Sequence, residues 1–309
     1  MLQAIKKFMT PYMQGEMYQD LDKEQKAIVN EYNDKIHNGA YKTEEVACLC
    51  GKKENTKLTD VDRYGFWHPV VICEACGFMY ATPRPVWEVL EEFYKSGSYR
   101  KVYGGVEFEE SKYEEHVNNS RMILVELTDL LVVRKLQSVF DFGCAGGWNL
   151  LVFKELGMKV SGCDFDPTLI ELGRKRGLDL QIGSFELLEG KRFDLIILNH
   201  VVEHFNDFWK DMAIIREAMS PNGLLYIALP NMSMFGCNRL QNAHNYYFKR
   251  PHLDFFMRHI GFKRLSTASM FEFQDFFAIY DLSDDILMKH LEHEKEIFKG
   301  FLRRINILK

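Results

Sequence analysis

Two sets of residues carry chemistry by type and spacing. The first is Cys48-x-Cys50 followed further on by Cys73-x-x-Cys76. Two thiolate pairs of this kind converge on one tetrahedral ion, and zinc accepts four sulfurs without geometric strain. A closed four-cysteine set leaves no position for water, so the expected metal is structural and folds a segment too small for its own core. A redox pair at Cys73 and Cys76 is the rival reading, but it lacks a βαβ context. His68 is a substitute ligand on paper, with a solvent-facing position the plainer expectation. The second set is Asp141-Phe-Gly143-Cys144-Ala145-Gly146-Gly147, between a predicted strand and a helix, with Asp164 closing the next strand. Glycines there let backbone approach a ligand closely. A carboxylate roughly 20 residues on is where nucleotide-binding α/β folds grip a ribose diol. The dinucleotide pattern G-x-G-x-x-G fails, because Ala145 and Trp148 stand where it requires glycine.

The elements that must hold these residues follow from the apolar pattern. From residue 138 the chain repeats strand, glycine turn, helix. Short apolar strands cover 139–142, 159–163, 193–198 and 224–229, and helices cover 151–156 and 206–219. Asp166-Pro167 is a natural helix start, with an N-cap carboxylate and proline in the first turn. Alternating strands and helices imply a doubly wound α/β sheet. The stretches 262–269 and 273–280 leave no room for a helix between them and should pair antiparallel. Upstream, residues 1–45 form a helical arm with Ile28, Tyr32 and Ile36 on one face, read as a packing or homodimerisation element. Residues 46–86 form the cysteine module, ending at Pro83-Arg84-Pro85. Residues 87–135 form a helical lid or linker, whose second helix turns Met122, Ile123, Leu127, Leu130 and Leu131 to one side. The cofactor-binding domain is expected over 136–282 and a C-terminal helix over 283–309.

Composition fits this organisation. The 309 residues are 47% hydrophobic and 27% charged, the balance of a globular protein with ample core material. No apolar run approaches the roughly 18 residues of a membrane span, and no secretory leader is expected at the start. The net charge of −5 opposes a chain built to coat nucleic acid. Seven cysteines, an odd number, suit a reducing cytoplasm with one metal site better than a disulfide framework.

The glycine loop, with Ala145 at its middle position, and the spaced Asp164 resemble class I S-adenosylmethionine-dependent methyltransferases. So does 193–205, a strand leading into Val202-Glu203-His204. The Asn/Asp-Pro-Pro-aromatic tetrapeptide of many amino-methyltransferases is absent there. The resemblance implies a Rossmann-like methyltransferase fold. It implies cofactor contacts from Asp141, Gly143, Ala145, Gly147, Asp164, Phe165, Ser184, Phe185 and Asn199. Cysteine pairs, Asp62-Arg63-Tyr64-Gly65-Phe66, Pro83-Arg84-Pro85, Phe93-Tyr94 and Tyr99 precede these motifs. That order is similar to bacterial zinc-containing methyltransferases of sugar-nucleotide and surface-polysaccharide biosynthesis. It implies Tyr94 and Tyr99 closing over the cofactor. In the sugar C-methyltransferases a Glu-His pair follows the fifth strand, and here it reads Ala243-His244. Loss of the glutamate favours an oxygen nucleophile. The implied reaction is O-methylation of a sugar nucleotide or polysaccharide precursor, a small-molecule substrate. His244 is the first candidate for the general base, His204 the second and His200 the third. Alternatives are C-methylation of a deoxy-keto-sugar nucleotide, an RNA methyltransferase with a zinc finger, and a non-catalytic scaffold that binds the cofactor.

Overall fold

The computed structural model describes residues 21–103, 110–234, 239–265 and 275–282. Residues 1–20 of the arm, Cys237 and the expected C-terminal helix lie outside the described residues. In chain order, the cysteine region comprises α1 (Lys23–His37), β1 (Thr43–Glu44), β2 (Asn55–Val61), β3 (Trp67–Cys73), β4 (Met79–Ala81) and β5 (Arg84–Pro85). Helices α2 (Trp87–Lys95), α3 (Ser98–Tyr103) and α4 (Glu110–Arg134) follow. Then come β6 (Ser138–Phe142), α5 (Trp148–Glu155), β7 (Lys159–Asp164), α6 (Pro167–Lys175), β8 (Asp179–Ile182), β9 (Phe193–Asn199), α7 (Phe208–Glu217) and β10 (Met219–Pro230). The last elements are β11 (Tyr246–Tyr247), α8 (Arg250–His259), β12 (Phe262–Leu265) and β13 (Asp275–Leu282).

The chain divides into two units, one of residues 21–92 with 230–259, the other of 93–229 with 260–282. The first contains a four-stranded sheet of order β11-β4-β3-β2, with β3 antiparallel to both its neighbours. Its helix α1 starts at a capping box. Asp22 accepts a hydrogen bond from the Gln25 amide at 2.8 Å, and the Gln25 side chain accepts one from the Asp22 amide at 3.0 Å. Leu58, Val70, Ile72 and Met79 from β2–β4 pack with Met232, Leu240 and Tyr247 into a small core. The cysteine segment therefore has a core after all, completed by residues far away in sequence. A single domain is expected over 136–282, whereas 230–259 groups with the cysteine-bearing strands. A second correction concerns His68. It is buried, not solvent-facing, with Nε2 2.6 Å from the Tyr247 hydroxyl. Strand β3 is interior to its sheet and is covered along most of its length. Burial pushes the His68 imidazole down to about 3, so it packs as a neutral ring.

The second unit holds a seven-stranded sheet of order β12-β13-β10-β9-β6-β7-β8. Strands β10, β9, β6, β7 and β8 run parallel, and β12 pairs antiparallel with β13. From β6 the chain winds outward through β7 to β8, then crosses back to β9 on the other side of β6. That reversal makes a crevice at the carboxyl ends of β6 and β9, the place where doubly wound sheets hold ligands. Asp166 caps α6 by accepting from the amides of Thr168 and Leu169, ahead of Pro167. On α4 the buried stripe is Tyr113, Val117, Ile123 and Leu127, spaced for one helical face. Met122, expected among them, is 41% exposed, because it falls one position off that stripe. Among the described residues no helix is long and apolar enough to cross a membrane.

Candidate functional site

Each cysteine pair sits on a tight turn closed by a glycine. In the first, Gly51 donates to the Cys48 carbonyl at 2.7 Å, and in the second Gly77 donates to the Cys73 carbonyl at 2.9 Å. Both glycines have left-handed backbones, φ +82° and +71°. The sulfurs of Cys48 and Cys76 lie 3.5 Å apart and those of Cys50 and Cys73 3.6 Å, with all four within 4.8 Å of one another. A disulfide needs sulfurs about 2.05 Å apart, so these are thiols. A tetrahedron with metal–sulfur bonds of ~2.3 Å has edges of about 3.8 Å, which the cluster matches. Hydrogen bonds from Cys48 and the other neighbouring thiols pull the Cys73 thiol down and leave Cys48 raised, the uneven sharing expected of crowded thiols. From α8 the His252 ring reaches the Cys76 carbonyl at 3.2 Å, and burial lowers it to about 4. The second turn is thus propped from the distant segment.

In the other unit, β6 ends in a loop with three alternating left-handed residues: Gly143 (φ +71°), Ala145 (φ +48°) and Gly147 (φ +74°). A side chain on Gly143 would meet Val201 Cγ2 at 2.6 Å, and one on Gly147 would meet Leu178 at the same distance. Ala145 accepts a costly conformation, of order 1 kcal/mol or more, and its amide donates to Asp164 Oδ2 at 2.8 Å. Asp164 Oδ1 accepts from the Asp166 amide at 2.9 Å. A carboxylate offers about four acceptor positions, so a diol can still bind this partly exposed group. The Gly146 carbonyl accepts from the Tyr113 hydroxyl of α4 at 2.9 Å.

Asp141 lies beneath the loop and is fully buried. Its Oδ2 accepts from Asn149 at 3.1 Å, and Asn149 in turn accepts from Ser120 at 2.7 Å. Oδ1 has no hydrogen-bond partner among the described residues. Burial pushes the Asp141 carboxyl up to about 8, with Asn149 opposing and Asp164 adding to the rise. A buried acceptor left open under the loop suits a cationic or N–H-bearing ligand. Since the ordinary carboxylate value is about 3.9, the folded chain holds this proton more tightly than the unfolded one. The stability it contributes is complete below about pH 4 and is lost as pH rises through about 8. The ligand-free Asp141→Asn variant is therefore expected to melt progressively higher than the parent as pH rises from 5 to 8, by about a few degrees. A melting difference independent of pH would refute this.

Around the crevice, Phe165 stacks on Tyr94 at 6.2 Å, and Tyr99 lies 5.0 Å from both Tyr94 and Tyr103. The Tyr94 hydroxyl is 3.0 Å from His204 Nδ1. Phe185 packs on Phe142 at 4.5 Å and Phe205 at 5.3 Å, while the Ser184 amide donates to Glu186 at 2.7 Å. Asn199 ends β9, and His200 follows with a left-handed backbone (φ +57°), its amide donating to the Ala228 carbonyl at 2.9 Å. The unit thus gathers Asp141, the glycine loop, Asp164, Phe165, Asn199, Tyr99 and His204 around the carboxyl ends of its strands. His244 belongs to the other unit, buried with its ring 6.0 Å from Tyr247. The sequence names Glu203 only within the Val202-Glu203-His204 motif and gives Asn149 no role; the packing shows both to be buried polar residues. The one available cue for Asn149 was its place on the inward face of the helix after the loop.

A doubly wound sheet with a glycine loop after its first strand and a carboxylate after its second defines a small-molecule-binding α/β class. The chain belongs to the methyltransferase domain family, whose model matches residues 113–267, about half its length. It is 32% identical over 104 residues to a ubiquinone biosynthesis O-methyltransferase of Chelativorans sp., covering 31% of this chain and 41% of that one. A protein of the same name from Brucella anthropi is also 32% identical over 104 residues, covering 31% and 42%. The chain thus spans about two fifths of the length of the curated relatives it matches. Among solved structures, it is similar to a SAM-dependent methyltransferase from Archaeoglobus fulgidus, at 16% identity and TM-score 0.45. That match covers 63% of this chain and 99% of the other.

Proposed function

We propose that the protein transfers a methyl group from S-adenosylmethionine to a hydroxyl oxygen of a small molecule, with a sugar nucleotide or surface-polysaccharide precursor as acceptor. The observation that carries this reading is the left-handed loop 143–147 with Asp164 hydrogen-bonded against it at the switch point of a family-matched sheet. When bound, the cofactor supplies an electrophilic methyl group on a positively charged sulfur. The loop admits the ligand against bare backbone, Asp164 accepts from the ribose hydroxyls, and the open Asp141 oxygen receives donors at the methionine end. Ser184 and Phe185 border the adenine, and Tyr94, Tyr99 and Phe165 shield the centre from water. Alignment of nucleophile and methyl group provides most of the acceleration. A histidine takes the hydroxyl proton, with His244 and His204 the residues the sequence singles out. The four cysteines hold a structural zinc ion in the reducing cytoplasm, where their thiols remain available. The arm over 1–45 is a packing or dimerisation element in this reading, and its described helix packs through Tyr32 on Phe66 and through Asn33 on Gly65 and Trp67.

Replacement of the C-methyltransferase glutamate by Ala243 supports oxygen over carbon as the acceptor atom. A phenolic hydroxyl is the second acceptor class, favoured by the names of the curated relatives. The test is incubation with methyl-labelled S-adenosylmethionine and parallel panels of sugar nucleotides and catechol-type phenols, read by product mass. Transfer to a sugar oxygen is expected; transfer only to phenols moves the acceptor to the second class, and transfer to neither overturns both. Asp164→Ala is expected to weaken cofactor binding at least about tenfold by calorimetry, from loss of charge-assisted hydrogen bonds. Unaltered affinity removes Asp164 from the ribose.

A further inference from the structure

We infer that His200 is the histidine that receives the acceptor's proton, and that the buried carboxylate of Glu203 is its positioning residue. This rests on the hydroxyl-methylating reading above and names the group it leaves open.

Glu203 is 2% exposed, and neither of its oxygens has a hydrogen-bond partner among the described residues. Burying a bare carboxylate costs several kcal/mol, and a fold retains such a group where a cation is formed beside it. Within this unit two imidazoles approach it. His204 has a ring nitrogen within 4.8 Å of a Glu203 oxygen, but its Nδ1 is already held by the Tyr94 hydroxyl and its ring lies among Tyr94 and Tyr99. His200 is different. Its Nδ1 is 3.4 Å from Glu203 Oε1, its Nε2 is 3.8 Å from Asp275 Oδ2 on β13, and its side chain is 43% exposed. The result is a solvent-exposed imidazole backed by a buried acid from the turn Val202–His204 and faced by a partly exposed acid, Asp275 of β13.

The backbone places this ring at the crevice. His200 takes a left-handed φ of +57° directly after β9, a conformation costly for a histidine. The next residue, Val201, has the side chain that a Cβ at Gly143 of the loop would meet. The strained residue therefore flanks the carboxyl end of the sheet beside the loop that binds the cofactor.

In the tautomer that carries its proton on Nδ1, which faces Glu203 Oε1 across 3.4 Å, the Nε2 lone pair is the proton acceptor. The hydroxyl O–H bond breaks and its proton passes to Nε2, while the oxygen's electron pair forms the bond to the methyl carbon. The pair of the carbon–sulfur bond stays with sulfur, leaving a neutral thioether. The imidazolium that results is balanced by Glu203 on one side and Asp275 on the other.

Proton NMR of the full chain without cofactor or acceptor tests the pair. The His200 resonance is assigned by its loss in His200→Asn, a residue that tolerates the left-handed backbone. His200 is expected to titrate at least about one pH unit lower in Glu203→Gln than in the parent, a tenfold change in proton affinity. Glu203→Asp should restore part of the difference. With the hydroxyl acceptor found in the panels, Glu203→Gln and His200→Asn should each lower kcat at least tenfold, with KM and cofactor affinity little changed. The acidic limb of the rate profile should move with the imidazole titration. An unmoved titration in Glu203→Gln overturns the pairing. If that variant does not fold, unchanged kcat in His200→Asn overturns the proton role. Should no hydroxyl in either panel be methylated, the hydroxyl reading fails by itself, and the titration still decides the pair.

Discussion

Gly143→Ala is expected to abolish measurable cofactor binding while leaving the sheet folded. Two independent effects act at this position. The backbone is left-handed, which costs a residue with a side chain roughly 1–2 kcal/mol, and the added carbon would sit 2.6 Å from Val201 Cγ2. Val201 has little room to retreat: the amide of His200 beside it is hydrogen-bonded to β10, and the turn Val202–His204 follows immediately. The loop must give instead, and its amides then leave the positions proposed to meet the cofactor. A misplacement of about 1 Å is enough to cost about a hundredfold in reaction rate, and hydrogen bonds from the displaced amides are lost with it. Calorimetric titration with S-adenosylmethionine, alongside a circular dichroism melt, decides the matter. Affinity within threefold of the parent in a folded variant would mean that this loop is not where the cofactor sits.

On the proposal that the cysteine cluster holds zinc, chelation should lower the melting temperature of the cysteine-bearing unit by at least about 10 °C, as should Cys76→Ala. A structural zinc ion contributes on the order of 10 kcal/mol to the folding of small metal-dependent domains. Here the apolar core around Val70, Ile72, Met79 and Tyr247 shares that task, so partial rather than complete unfolding is expected on chelation. The unmetallated cluster leaves four thiols crowded within 4.8 Å, with Cys48, Cys73 and Cys76 buried. The purified chain should contain about one zinc per molecule, measured by elemental analysis. Absence of metal, together with a melt unaffected by chelator, would refute the assignment. A stable but inactive metal-free protein would instead assign the ion to catalysis.

Much of the sheet could be read directly because its determinants are local. Short continuous apolar strands and the Asp166-Pro167 helix start each announce themselves within a few residues, and the structure has them at those places, although β10 already begins at Met219 where the helix of 206–219 is expected to end, and β8 is not anticipated. The glycine loop is likewise legible as a place of close backbone approach, while its left-handed backbone at 143, 145 and 147 emerges only from the structure. What escaped depends on distance. Strand β11 has two residues and no period, so nothing near Tyr246 reveals that it pairs with β4. The burial of His68 follows from that same assembly. Glu203 reads as an ordinary polar residue at the start of a turn, since a sequence displays a carboxylate but not the wall built around it. Met122 failed for a smaller reason, one position of helical phase on a stripe only four residues wide.

The crossing of the chain between its two units constrains how the protein can be made. Neither unit is a continuous stretch, because 93–229 interrupts the cysteine-bearing one and 230–259 interrupts the other. During synthesis the first pair of hairpin strands leaves the ribosome without β11 or the helix bearing His252, and must wait for more than half the polypeptide. Contacts so remote in order are slow to form, and unpaired strand edges meanwhile invite aggregation. Early capture of a metal ion by the two glycine-closed turns, which need only residues 48–77, would hold those strands in register until their partners arrive.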